Sequence, residues 1–115
     1  ICGSLRKSSF HNQLLNTLPE LSPKEMEFVG APSFSDLPLL NMDDLDAIDF
    51  PAQIDALSAA IEAADGIVIA SPEYNHSVPG GLKNALDWIS RRSDQPLKDK
   101  PVALQSVSPG PVGGA

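Results

Sequence analysis

With 115 residues, 42% of them hydrophobic and 20% charged, the chain can bury a single core and is too short for two, so one folded domain over 1–115 is expected. A formal net charge of −7 sets it against nucleic acid, whose phosphates an acidic surface repels. The apolar run Ile67–Ala70 is far too short to cross a bilayer and the single Cys2 cannot close an internal disulfide, which makes a cytoplasmic protein without a membrane partner the expectation.

The chain opens on Ile1-Cys2-Gly3 and closes on Val112-Gly113-Gly114-Ala115, which reads as a fragment lacking the start of its first strand and its C-terminal part. Ile1-Cys2 is then the stub of that strand. From Gln13, the residues Leu14, Leu15 and Leu18 share one helical face, and Pro19 is expected to stop the pattern. Met26–Val29 reads as a weaker edge strand. The Pro-, Ser- and Asp-rich stretch from Gly30 to Asp49 reads as a surface loop. Ile54, Leu57, Ile61 and Ala64 recur at helical spacing behind Asp49-Phe50-Pro51, a cap with proline in the first turn. Gly66–Ala70 and Pro101–Leu104 are apolar without alternation, as strands covered on both faces are. Between them Leu82, Ala85, Leu86 and Ile89 follow the i, i+3, i+4, i+7 spacing of a helix. Strands alternating with helices imply an α/β fold with a parallel sheet and right-handed crossovers.

Ligands of such sheets lie beyond the carboxyl ends of the strands, so three loops are the candidates: Gly3–His11, Ser71–Gly81 and Ser106–Gly114. In the first, the hydroxyls of Ser4, Ser8 and Ser9, the Arg6 guanidinium and the amides of a helix start make a phosphate cradle. A capped helix beside a solvated basic pair is the competing reading. The loop lacks both the Gly-Lys-Ser/Thr ending of a Walker loop and the glycine spacing of a dinucleotide fingerprint. In the second loop Tyr74 offers an aromatic surface, Asn75 a donor and an acceptor, and Pro72 and Pro79 stiffen the turn. That set suits a flat heteroaromatic ring with a polar edge. Glu73 and His76 leave open an acid–base pair or a metal site, although no second histidine or cysteine stands at ligand spacing.

Gly3-Ser4-Leu5-Arg6-Lys7, Ser9-Phe10, Ser71-Pro72-Glu73-Tyr74-Asn75, Pro79-Gly80-Gly81-Leu82-Lys83-Asn84-Ala85 and Asp87-Trp88 together resemble the NADPH-dependent FMN reductase family, nearest its bacterial chromate and quinone reductase branch. The resemblance runs over essentially the whole chain and implies a flavodoxin-like open parallel sheet with helices on both faces, seen here C-terminally truncated. It implies FMN as cofactor and NADPH or NADH as reductant. Ser4, Arg6, Ser9 and His11 match the phosphate region, Glu73, Tyr74, Asn75 and His76 the loop along the isoalloxazine and ribityl parts, and Ser108 a position near the ring. It further implies ping-pong hydride transfer through bound FMN to quinones and other oxidised acceptors, chromate being a candidate, with no catalytic side chain and no metal. A homodimer or homotetramer is implied, with the helix from Leu82 to Ser90 at the interface and Trp88 or Lys83 exposed on it. The chain departs from the family in placing His11 where asparagine is usual, and in stiffening the third loop with Pro109 and Pro111. A flavodoxin-type electron carrier, and a non-enzymatic domain that has lost its cofactor, are the competing functions.

Overall fold

A computed structural model describes residues 1–45 and 49–114. Positions 46–48 of the expected surface loop, and position 115, lie outside the described residues. In chain order the elements are α1 (Phe10–Leu21), a short 3₁₀ turn (Met42–Asp44), α2 (Ala52–Ala63), β1 (Ile67–Ala70), α3 (Gly80–Ile89) and β2 (Val102–Gln105).

β1 is the middle strand. On one side Cys2 bridges Ala70 in parallel, so Ile1-Cys2 runs beside β1 as a strand would. On the other side β2 pairs in parallel from Ile67↔Val102 to Ala70↔Gln105. Side chains alternate across a strand. Ile67 and Ile69 accordingly face one side, where they join Ile54, Leu57 and Ile61 of α2 and Leu82, Ala85, Trp88 and Ile89 of α3 in the core. α1 touches β1 but adds nothing to that cluster, so it covers the opposite face, to which Val68 points.

Four expectations need correction. Pro19 does not end α1, which continues to Leu21; a proline this near the end spoils only the bonds of the last turn. Pro51 is the N-cap of α2 rather than a first-turn residue, and no side chain caps that helix. Met26–Val29 forms no strand: the Met26 amide bonds locally to the Pro23 carbonyl, and Met26 and Val29 are exposed. A short apolar run becomes a strand only where a free edge accepts its backbone. Lastly, β2 is not covered on both faces. It pairs along one edge with β1, and Leu104 is 76% exposed. An unbroken apolar run signals burial only when other elements supply the cover.

Candidate functional site

The parallel register brings the three loops out side by side. The Gly3 amide donates to the Ala70 carbonyl at 2.7 Å, the Ser71 amide to the Gln105 carbonyl at 2.9 Å, and the Ser106 hydroxyl to the Ser71 carbonyl at 2.8 Å. Glycine at position 3 leaves room for this approach. A Cβ there would stand 2.9 Å from Leu82 Cδ2 and 3.1 Å from the Ser71 Cα.

The first loop turns into α1 through Ser9, whose hydroxyl accepts from the His11 amide at 3.1 Å as an N-cap. Ser9 is buried, so this predicted phosphate ligand is first of all a structural cap. The Ser4 hydroxyl accepts from the Arg6 amide at 3.3 Å and shapes the turn before it. Arg6 is exposed and, among the described residues, makes no ion pair. With Cys2, Ser4, Lys7 and Asn12 it lines one side of an open hollow of about 290 Å³, whose other side is Ala31–Ser35. In this acidic chain Arg6 and Lys7 precede every carboxylate side chain, Glu20 being the first. Positive charge, hydroxyls and a helix N-terminus therefore converge on one hollow.

The wall at Ala31–Ser35 is the part that sequence reasoning missed. The signal was present: this segment follows Met26–Val29, which reads as an edge strand, and the rule that made loops after strands the candidates would have included it.

In the second loop Tyr74 and Ser77 exchange two backbone hydrogen bonds, from the Tyr74 amide at 2.9 Å and from the Ser77 amide at 3.1 Å. Between them Asn75 and His76 have φ of 52° and 60°. Two left-handed residues in a two-residue connection make a primed turn, and asparagine and histidine are among the side chains that tolerate it. The turn lifts Tyr74, 53% exposed, and the exposed His76 to the surface. His76 Nδ1 lies 3.4 Å from a Glu73 carboxylate oxygen, an exposed contact of small energetic weight. No third His, Cys, Asp or Glu joins this pair among the described residues. In the third loop the exposed Ser108 hydroxyl accepts from the Gly110 amide at 3.0 Å and sets the turn there.

His11 is placed differently from the other predicted ligands. Only 5% exposed, its ring sits beneath the loops, and Nε2 accepts from the Val107 amide at 3.3 Å. Burial pushes its pKa below the ordinary 6.5, while hydrogen bonding to the Ser71 backbone works the other way. The ring thus ties the start of α1 to the third loop. The acceptor role of Nε2 requires the neutral ring. A folded pKa below the unfolded one means that the unfolded chain takes up the proton more readily, so this contribution to stability is complete above about pH 6.5 and is lost as pH falls below it. His11→Asn should therefore show a shallower fall of Tm between pH 7.5 and 5 than the unaltered protein; parallel profiles would dismiss the role.

Trp88 corrects the interface expectation. It is 3% exposed, packs edge-on to Phe50 at 6.0 Å between ring centroids, and donates from Nε1 to the Pro38 carbonyl. Three residues beyond Ala85, it extends the buried stripe of α3 rather than its free face. Lys83 is exposed as expected, paired with Asp87 at 2.5 Å. A larger open cavity, of about 480 Å³, lies between Asp49, Phe50, Asp55, Arg92 and Ser93, and none of the predicted ligands lines it. There Asp94 and Asp55 hold the Arg92 guanidinium charged, and Arg92 in turn lowers the Asp94 carboxyl.

The NADPH-dependent FMN reductase family pattern matches residues 1–115, every position of the chain. The chain belongs to that family. Relatives include a quinone reductase of Escherichia coli, 52% identical over all of this chain and 61% of the relative, and an NAD(P)H-dependent FMN reductase of Pseudomonas aeruginosa, 41% identical with the same coverage. Among solved structures, FerB of Paracoccus denitrificans, described as a flavoenzyme NAD(P)H:(acceptor) oxidoreductase, superposes with a TM-score of 0.84 at 38% identity, over 98% of this chain and 61% of FerB. The fold of this family member is thus the flavodoxin-like one expected, and the chain spans about three fifths of the length of the relatives it matches.

Proposed function

We propose that the protein is an FMN-dependent NAD(P)H oxidoreductase that reduces quinones and related oxidised acceptors, chromate among them, by a ping-pong sequence. The observation that carries this reading is the hollow in front of α1, where Arg6, Lys7, Ser4 and Asn12 gather in an otherwise acidic chain. The residues fit the terminal phosphate of FMN: a guanidinium that makes no ion pair among the described residues supplies charge, and the N-terminus of α1 supplies a favourable dipole. The wall at Ala31–Ser35 closes the far side. FMN would supply, when bound, a ring that accepts hydride from a nicotinamide and passes the electrons to the acceptor.

The protein's own part is binding and orientation. Arg6 and the start of α1 hold the phosphate, with Ser9 keeping the helix start in place. The Asn75-His76 turn carries Tyr74 and Glu73 to the ring end, and Ser108 stands on the neighbouring loop. No side chain is required as acid, base or metal ligand. With Trp88 drawn into the core, Tyr74 is the one Trp or Tyr ring left at the surface. So thin an aromatic screen suits an open ring face on which substrates stack, and counts against an electron carrier that shields its flavin. The quinone reductases and flavoenzyme among the relatives support the same reading. We read 1–115 as one flavodoxin-like unit of a cytoplasmic homodimer or homotetramer; no helix among the described residues is long and apolar enough to cross a membrane.

The test is anaerobic mixing of the full-length protein with FMN and NADPH, following flavin absorbance at its visible maximum. Rapid bleaching reversed by a quinone is the expected result. Tight binding without bleaching by NADPH or NADH would mark an electron carrier. Absence of FMN binding would end the cofactor reading.

A further inference from the structure

The wall that faces Arg6 belongs to a segment with little backbone support of its own. Between Gly30 and Asn41 no residue lies in a helix or strand, and none bonds through its backbone to the sheet. Phe34, 4% exposed, is buried in the core and anchors one point. The second point is a side chain. Asn84 of α3 accepts from the Leu40 amide through Oδ1 and donates to the Pro38 carbonyl through Nδ2, both at 2.9 Å. Trp88, one turn along the same helix, donates to that same Pro38 carbonyl at 2.9 Å.

This geometry imitates a sheet. A residue in a parallel ladder bonds, through its own N–H and C=O, the C=O and N–H that flank one residue of its neighbour. The Asn84 amide does this to Pro38 and Leu40, straddling Leu39, whose side chain points to solvent at 82% exposure. The carbonyl and amide are spared burial without partners. Asn84 is itself 9% exposed and, like Trp88, does not line the hollow. Both residues sit on the helix that follows the second ligand loop, so the contact ties the wall at Ala31–Ser35 to the frame that carries the Tyr74 turn.

We propose that Asn84 and Trp88 are positioning residues for the phosphate hollow: by holding Pro38 and Leu40 against α3 they keep the Ala31–Ser35 wall opposite Arg6. The inference rests on reading the hollow as the FMN phosphate site. Its experiment separates phosphate positioning from a general loss of structure by comparing FMN with riboflavin, which lacks the phosphate.

In the full-length protein, Asn84→Ala should speed hydrogen exchange across 30–45 without ligand, and should raise the Kd for FMN about tenfold while raising that for riboflavin about threefold or less. Trp88→Phe keeps a ring in the core and removes one donor; a smaller shift of the same kind, about threefold for FMN, is expected. Should Asn84→Ala fail to fold, Trp88→Phe and Asn84→Asp, which keeps the acceptor for Leu40, carry the comparison. Equal losses for the two flavins, or FMN affinity within about twofold of the unaltered protein despite faster exchange, would overturn the positioning role. Failure of the unaltered protein to bind FMN would instead overturn the proposed function, and this inference with it.

Discussion

Replacing Arg6 by alanine is expected to weaken FMN binding by about ten- to a hundredfold, the loss that follows from removing one charge-assisted hydrogen bond. Lys98→Ala, at an exposed position that does not line the hollow, should leave binding nearly unchanged. The difference arises from what surrounds each cation. Arg6 faces a concavity with a helix N-terminus behind it, so its partner is partly withdrawn from water and its attraction less screened. Because Arg6 itself is exposed, part of the effect should vanish with salt, and titrations at low and high ionic strength should draw the two affinities together. Equal losses from Arg6→Ala and Lys98→Ala would remove the hollow from consideration as the phosphate site.

Leu82→Ala is expected to destabilise the protein by about 2–5 kcal/mol, the range for emptying a buried leucine site. Leu82 is 2% exposed at the first turn of α3, and its Cδ2 lies where a Cβ on Gly3 would stand 2.9 Å away. The cavity therefore opens under the first residue of the phosphate loop. Gly3→Ala alone should also destabilise, since the new methyl group meets Leu82 and the Ser71 backbone together. The double variant should cost less than the sum of the two, because truncating Leu82 clears one of the two obstacles. Ser71 keeps the compensation partial. Groups in direct contact show coupling of about 0.5–3 kcal/mol in such cycles, large enough to read from thermal or denaturant melts. Strict additivity would mean that the close approach of Gly3 to Leu82 has no energetic weight.

Both substitutions act at places where short-range sequence signals and long-range packing meet, and these two kinds of information differ in what they reveal. Leu82, Ala85 and Ile89 announce α3 through spacing alone, since helical periodicity is a property of neighbours in the chain. Ser9 announces the start of α1 for the same reason, a cap being a contact between residues two or three apart. The Asn75-His76 turn is local as well; the flanking prolines announce a turn, but not its left-handed pair. Its pair lacks the glycine that usually marks left-handed backbone.

The sequence by itself determined the α/β alternation, the parallel core strand at Ile67–Ala70, the three loops that carry the candidate ligands and, through two long motifs, the family. Each of these depends on residues close in the chain or on a pattern read in order. Only the tertiary structure decided what those residues face. Met26–Val29 and Pro101–Leu104 are both candidate strands, but among the described residues the first pairs with no strand, and the second pairs along one edge without cover. Trp88 belongs to the core because Pro38, fifty residues earlier, brings a carbonyl to its indole nitrogen. His11 is buried as a strut beneath the loops because Val107, ninety-six residues later, donates to its ring. Burial and hydrogen-bond pairing are properties of distant segments brought together, and periodicity carries no record of which segment arrives.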